Sequence, residues 1–152
     1  MSDSNKPDPH DLARFVTAQA ANYETALAEV QAGCKRSHWM WYIFPQIVGL
    51  GFSDTTKFYA IKSVAEARAY LLHPVLGPRL VAIAEAALGA EGKTAPEVFG
   101  SPDDMKLHSC ATLFAHVSPP GSVFHRLLDV FFRGARDPGT LSQMRGLGEQ
   151  IF

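Results

Sequence analysis

The side chains of this sequence that could bind a charged, planar small molecule are concentrated in residues 33–46. The polar ones come first: Lys35, Arg36, Ser37 and His38. At the start of a helix, unpaired backbone N–H groups and the positive end of the dipole favour an anion, so these residues would hold a phosphate or a carboxylate. Six large apolar or aromatic residues follow, of which Trp41 and Tyr42 could stack on a planar ring. The segment therefore predicts a binding site for an anionic planar molecule, such as a nucleotide or an ADP-ribose-like compound.

The same segment permits three other interpretations. A short helix that is apolar on every side is typically buried, which would place residues 39–44 in the core and leave Lys35 and Arg36 to form surface ion pairs. A protein-interaction module would instead expose Trp41 on a convex surface, since aromatic and arginine residues dominate interface hot spots. A single-stranded nucleic-acid binder would stack bases on the aromatic rings and follow phosphates with lysine and arginine. The net charge of −1 weighs against nucleic acid as a partner.

Three further polar residues extend the predicted ligand site: Gln19, Tyr23 and Gln46. Gln19 and Tyr23 fall on the apolar stripe of the first predicted helix, so they would face inward with the core residues. Polar groups that face inward need hydrogen-bond partners. A buried bond to the backbone is one explanation of these two residues, and the lining of a pocket is the other.

Lys106 and Ser109 form a second candidate cluster, together with Asp104. Lys106 and Ser109 are three residues apart on a predicted helix and therefore share a face. A lysine can activate a serine hydroxyl as a general base, so nucleophilic catalysis is one interpretation and ordinary solvation of a helix surface is the other. Both residues join the ligand site if the fold brings this helix close to residues 33–46. The sequence leaves open whether such a site also catalyses a reaction.

The sequence contains no motif for a metal or a cofactor. Its histidines lack His-Glu-x-x-His spacing and a close Cys/His pairing, so we predict no metal site. Gly49-Leu50-Gly51 lacks the preceding strand and the following lysine of a phosphate-binding loop, so we predict no cofactor. Cys34 and Cys110 are too few for a disulfide framework and fit a reducing compartment. His38 is the best-motivated proton carrier, because it adjoins the basic and aromatic groups.

Composition and length indicate one globular domain. The chain has 152 residues, of which 47% are hydrophobic and 19% charged, as is typical of a folded protein. The longest nearly uninterrupted apolar run, residues 39–44, is far short of the roughly 20 residues that span a bilayer. Residues 1–10 lack the apolar core of a signal peptide. We therefore expect a cytoplasmic protein without a membrane partner, and the sequence does not fix its oligomeric state.

Helix signals recur along the chain without the sustained alternation that would predict strands. The first helix is predicted to run from a cap at Asp8, with Pro9 at its first position, to Gly33, where a left-handed conformation would end it. A second helix, residues 38–44, is predicted from a cap at Ser37. The remaining predicted caps or starts are at Ser53 or Asp54, Ser63, Gly77, Thr94, Ser101, Val123 and Thr140. The prediction is an all-α fold: a single compact domain of seven to nine helices over residues 8–152, after a disordered tail at 1–7.

Three stretches of the sequence carry a family resemblance: Tyr23-x-x-Ala26-Leu27, Gly33-x-Lys35-x-Ser37-His38-Trp39-Met40-Trp41-Tyr42-Ile43-Phe44-Pro45-Gln46 and His73-Pro74-Val75-Leu76-Gly77-x-Arg79-Leu80. They resemble a family of small bacterial proteins that is catalogued as a domain of unknown function. The resemblance implies an all-α fold and no particular reaction. Members often carry the label calpastatin, although a protease inhibitor that folds on its partner would be polar and disordered, unlike this chain. Cys34 and His108 stand where the family often has arginine, so an anion contact made by those arginines in relatives would be missing here.

Overall fold

The computed structural model of this chain describes residues 7–90 and 92–151. These residues form nine α-helices and no β-strand: α1 (Ala13–Gln31), α2 (Met40–Ile43), α3 (Asp54–Tyr59), α4 (Val64–Leu72), α5 (Leu76–Leu88), α6 (Ala95–Phe99), α7 (Asp103–His116), α8 (Val123–Phe132) and α9 (Pro138–Gly146). A parallel bridge between Ile47 and Ile61 joins the loops that follow α2 and α3. The predicted all-α fold class is confirmed. The predicted tail at 1–7 lies outside the described residues except for Pro7, which is exposed.

Side-chain caps begin several of the helices. Three serines accept the backbone N–H of the residue three positions later: Ser53, Ser63 and Ser122. At α6 the capping box is complete, because the Thr94 hydroxyl accepts from Glu97 N (3.2 Å) and the Glu97 carboxylate accepts from Thr94 N (2.7 Å). The cap of α9 is Asp137 rather than the predicted Thr140, since the Asp137 carboxylate accepts from Thr140 N at 3.0 Å.

The first helix starts later than predicted. α1 begins at Ala13 rather than at Pro9. The Asp8 carboxylate nevertheless accepts from Leu12 N (2.8 Å) and Ala13 N (3.0 Å), so it stabilises the helix start across an intervening turn. After the helix, Gly33 has the predicted left-handed conformation, with φ of 75°.

The second helix is shorter than the predicted residues 38–44, since it comprises only Met40–Ile43. Ser37 does not cap it, because the Ser37 hydroxyl instead donates to the Glu29 carboxylate on α1 at 2.6 Å. The residues before α2 are therefore held in place by α1 and not by the helix that follows them.

The core is built around α7, which packs against α4, α6, α8 and α9. α1 packs against α2 and α5, and α5 also packs against α4 and α8. Aromatic rings connect these layers, because Tyr70 of α4 lies 5.1 Å from Phe15 of α1 and 5.4 Å from Phe114 of α7, measured between ring centroids. Trp39 and Phe44 are each 1% exposed, so most of the aromatic segment belongs to this core.

α4 and α5 meet at a tight corner. A Cβ atom on Gly77 would lie 2.1 Å from the Leu71 carbonyl oxygen, so the corner requires glycine there. Among the described residues, no single helix is long and apolar enough to cross a membrane. α4 and α5 meet that requirement only as a pair, which is bent by 89°.

Arg14 fastens the start of α1 to the middle of the chain. Its side chain is 5% exposed, and each of its five guanidinium N–H groups has an acceptor. Four acceptors are backbone carbonyl oxygens, those of His10, Asp11, Phe58 and Ala60. The fifth is the Glu66 carboxylate on α4, at 2.6 Å, and the Glu66 side chain is 2% exposed. Arg14 is therefore a structural clamp with no N–H group left for a ligand.

Candidate functional site

The Glu29 carboxylate binds the polar segment before α2, where the sequence predicts an external anion. It accepts hydrogen bonds from Arg36 N (2.7 Å), Ser37 N (2.9 Å), Ser37 Oγ (2.6 Å) and Trp39 Nε1 (3.0 Å). Burial raises the pKa of this carboxyl, but the hydrogen bonds outweigh burial and lower the pKa to about 2. Ser37 is therefore bound within the protein, and Glu29 provides the negative charge that the segment favours.

Lys35 is likewise held by internal partners. Its Nζ atom lies 2.8 Å from Asp103 Oδ2 on α7 and 4.9 Å from the centroid of the Trp39 ring, and it donates to the Ser37 carbonyl oxygen. The Lys35 side chain is only 6% exposed. His38 is exposed. Neither Lys35 nor His38 lines the cleft between the starts of α7 and α9. The structure thus does not bring Lys35, Ser37 and His38 together as an open anion site.

Gln19, Tyr23 and Tyr42 are buried and bonded within the fold. Gln19 Nε2 donates to the Tyr42 carbonyl oxygen at 2.8 Å and to the Tyr70 hydroxyl at 3.0 Å. The Tyr23 hydroxyl donates to the Arg79 carbonyl oxygen at 2.8 Å. Of the two explanations for the inward-facing residues of α1, the structure shows the buried hydrogen bond.

We expect Gln19→Leu to lower the free energy of unfolding by about 1–3 kcal/mol, because the Tyr42 carbonyl and the Tyr70 hydroxyl would remain buried without their donor. Urea unfolding measures the loss, and Thr17→Leu, at an exposed position of α1, is the control. A Gln19→Leu protein as stable as the wild type would show that these two hydrogen bonds contribute nothing to the core.

Other predicted residues come together around an open cleft of about 360 Å³. We call it the α7–α9 cleft, and its lining residues are Gln46, Leu50, Gly51, Thr56, Pro102, Met105, Lys106, Ser109, Asp137 and Gly139. Gln46, Lys106 and Ser109 are among the residues predicted to bind a ligand, and Trp41 contacts Lys106 beside the cleft. The volume falls within the range of about 300–1,000 Å³ that is usual for small-molecule sites.

Lys106 is the cation of the α7–α9 cleft. Its Nζ atom lies 5.2 Å from the centroid of the Trp41 ring and 3.3 Å from Asp103 Oδ1. The two oxygens of Asp103 therefore bind both Lys106 and Lys35, which leaves one positive charge uncompensated in this group of three. The Lys106 side chain is 23% exposed against 6% for Lys35, so Lys106 is the lysine that a ligand can reach.

Two helices begin at the cleft. Pro102 precedes the first residue of α7, and Gly139 is the second residue of α9. The two helices have 14 and 9 residues, so the positive ends of their dipoles add to the charge of Lys106. Asp103 and Asp104 in the first turn of α7 and Asp137 at the cap of α9 offset part of this field.

Ser109 is fixed by the cap of α9 rather than by Lys106. Its Oγ atom lies 3.1 Å from Asp137 Oδ2 and 3.2 Å from the Met105 carbonyl oxygen. The same Asp137 oxygen also accepts both cap bonds of α9. Within the described residues, no hydrogen bond joins Lys106 to Ser109, and the Oδ1 atom of Asp104 is buried without a partner. The structure therefore does not assemble a lysine-activated serine.

Asp103, Asp137 and Met105 belong to this arrangement but are not among the residues predicted to bind a ligand. Asp103 and Asp137 have sequence signals only for a helix start and a turn, and Met105 has none. Asp103 matters here because it bonds Lys35, a residue that is distant in the sequence. No local pattern predicts such a pairing.

The described residues contain no group of three or more His, Cys, Asp or Glu side chains that could hold a metal ion. Cys110 is buried, and burial raises the pKa of its thiol well above the ordinary value. This raised pKa keeps Cys110 in the thiol form at neutral pH, so it behaves as a core residue and not as a nucleophile.

His108 is one of the two departures from the family pattern. It contacts α8 and the loop that follows α8. Its ring stacks on Phe132, with centroids 4.1 Å apart and planes at 8°. His108 Nε2 lies 2.7 Å from the Ala135 carbonyl oxygen. The other departure, Cys34, is exposed. Neither residue lines the α7–α9 cleft.

The chain is similar to proteins without an assigned function. The sequence family described as Protein of unknown function (DUF1810) matches residues 9–144. Comparison with curated proteins gives no match. Among solved structures, that of a conserved hypothetical protein from Mycobacterium tuberculosis is similar, with a TM-score of 0.88 and 44% sequence identity over 91% of this chain and 99% of the other. The match over most of the chain shows that this protein belongs to the DUF1810 family, a family of unknown function as the motifs predict.

Proposed function

We propose that the α7–α9 cleft binds an anionic, planar small molecule of the nucleotide class. The observation that carries this proposal is the convergence of four predicted residues from two distant segments. Trp41 and Gln46 come from the aromatic segment and Lys106 and Ser109 from α7, and they meet at or beside one cleft.

Each of these residues has a distinct role in the proposed complex. Lys106 binds the anionic group, aided by the starts of α7 and α9. Trp41 holds the Lys106 ammonium over its ring, which orients the cation towards the cleft. The Gln46 amide supplies a donor and an acceptor for a polar edge of the ligand. Ser109 positions the cap of α9 through Asp137 and is not assigned a nucleophilic role.

A protein-interaction module anchored on the aromatic segment is less well supported. Trp39, Ile43 and Phe44 are each 1% exposed, so they cannot anchor a partner without unfolding the core. Trp41 is only partly buried, but it lines a narrow crevice of about 10 Å³ and its ring contacts the Lys106 ammonium. Trp41 therefore lies at a crevice and not on the convex, exposed surface that the anchor of a protein interface needs.

Thermal melting against nucleotides, nucleotide sugars and simple anions tests the proposal. We expect a compound present at about 100 times its dissociation constant to stabilise the protein by roughly 2.7 kcal/mol. For a domain of this size, that corresponds to a rise in Tm of about 5–10 °C. A panel without any shift at millimolar concentrations would overturn the proposal.

We expect Lys106→Met to weaken binding of AMP by at least about tenfold, the usual loss when a hydrogen bond to a charged group is removed. Lys57→Met is the matched control, because Lys57 is exposed and lines a different cleft. Calorimetric titration with AMP measures both variants. Equal losses in the two would show that the effect is one of overall charge and not of the α7–α9 cleft.

A further inference from the structure

We propose that Phe52 is the residue that stacks on the planar ring of the molecule bound in the α7–α9 cleft, with Met105 on the other side of the ring. This inference rests on the proposed function, and it names a ring-binding pair that the sequence pattern does not indicate. It assigns to Phe52 the stacking role that the aromatic segment was expected to play.

The aromatic rings of that segment are already occupied. The Lys106 ammonium lies 5.2 Å from the centroid of the Trp41 ring, and Trp41 is not among the residues that line the cleft. Tyr42 is 9% exposed, and its ring lies 5.2 Å from the ring of Tyr59. Because the ammonium already uses one face of the Trp41 ring and Tyr42 is buried, we assign the stacking role to another side chain.

Phe52 is placed to provide that surface. It directly follows Gly51, which lines the cleft, and it directly precedes Ser53, the cap of α3. Its side chain is 86% exposed, the highest value among the large hydrophobic residues that are exposed. An exposed side chain changes rotamer within picoseconds to nanoseconds, so the ring is free to turn over a ligand beside Gly51.

Met105 borders the same cleft from α7. It is 65% exposed and lines the same cleft as Lys106, so a ring held near Met105 keeps an attached anion within reach of the ammonium. Methionine adapts its shape to a ligand and makes favourable sulfur–aromatic contacts. The position of Met105 therefore couples recognition of the ring to recognition of the anion.

α3 separates this pair from a second cleft and supplies the control residue. Phe58 at the end of α3 is 53% exposed and lines that second cleft, together with Lys57. Phe52 and Phe58 are 86% and 53% exposed, so substitutions at these positions remove little from the core. Both variants are therefore expected to fold, and differences between them report on the two clefts.

The test compares AMP with its two halves, adenosine and ribose 5-phosphate, by calorimetric titration of the wild type, Phe52→Ala, Phe58→Ala and Lys106→Met. We expect Phe52→Ala to weaken AMP binding roughly tenfold, the loss typical of one removed base stack, and to leave ribose 5-phosphate binding unchanged. Phe58→Ala should bind AMP as the wild type does, and Phe52→Tyr should restore binding. Met105→Ala should weaken AMP binding in the same selective way.

The possible failures are distinguishable. If the wild type binds none of the three compounds, the proposed function fails and this inference fails with it. If Lys106→Met loses AMP while Phe52→Ala retains it, the binding site stands and the stacking role of Phe52 is overturned. If Phe52→Ala loses AMP and ribose 5-phosphate equally, Phe52 supports the cleft structurally and the stacking role is again overturned.

Discussion

Replacing Arg14 by methionine is expected to lower the free energy of unfolding by about 3–5 kcal/mol, the usual cost of leaving one partner of a buried ion pair alone. The change would leave the Glu66 carboxylate, 2% exposed, without its cation. It would also leave four backbone carbonyl oxygens without the guanidinium N–H group that each now accepts. Arg14→Lys should recover little of the loss, because an ammonium cannot reproduce the planar, five-donor geometry of guanidinium.

Urea unfolding at neutral pH measures this effect, and Arg68→Met is the control. Arg68 also faces a carboxylate, that of Glu149 at 3.9 Å, but its side chain is 55% exposed, so its loss should cost little. The double variant Arg14→Met/Glu66→Gln should be more stable than Arg14→Met, because it no longer buries an unpaired charge. If the double variant is instead less stable than the wild type by the sum of the losses of Arg14→Met and Glu66→Gln, the two side chains are not coupled.

We expect Glu29→Gln to lower the free energy of unfolding at pH 7 by about 1–3 kcal/mol, because an amide cannot accept the charged-group hydrogen bonds that the carboxylate now accepts. This difference should depend on pH. The pKa of Glu29 is lowered from 4.5 to about 2 on folding, so the ionised carboxylate stabilises the folded state. That contribution is fully present above pH 4.5 and is lost as the pH falls towards about 2.

Urea titrations at pH 7, 5 and 3 check the prediction for Glu29. The stability difference between the wild type and Glu29→Gln should be the same at pH 7 and 5 and smaller at pH 3. Glu24→Gln, at an exposed position on the same helix, is the control and should show no such trend. A difference for Glu29→Gln that stays constant down to pH 3 would contradict the hydrogen-bonded role of the carboxylate.

Local signals in the sequence were enough to predict the fold class and most helix starts. A cap and the N–H groups it satisfies lie within a few residues, so Ser53, Ser63 and Thr94 could be identified from spacing alone. The error at α2 has a non-local cause. Ser37 has the residue type of a cap, but its hydroxyl is bound by Glu29, a residue on the preceding helix.

The candidate site was predictable only in part for the same reason. The sequence identified Lys106 and Ser109 as neighbours on one helix face, which follows from helical periodicity. That Lys106 lies over Trp41 depends on how α7 packs, and that Asp103 serves two lysines depends on a tertiary contact. Charge and residue type pointed to two segments that meet at the cleft, and tertiary packing decided which of their side chains line it.

The clamp formed by Arg14 also constrains when α1 can reach its native state during synthesis. Two of its acceptors, the Ala60 carbonyl oxygen and the Glu66 carboxylate, lie 46 and 52 residues further along the chain. Closing a loop of that length lowers the conformational entropy of the chain, and this cost is offset only once the non-local contacts have formed. α1 is therefore secured only after the middle of the chain has also been synthesised.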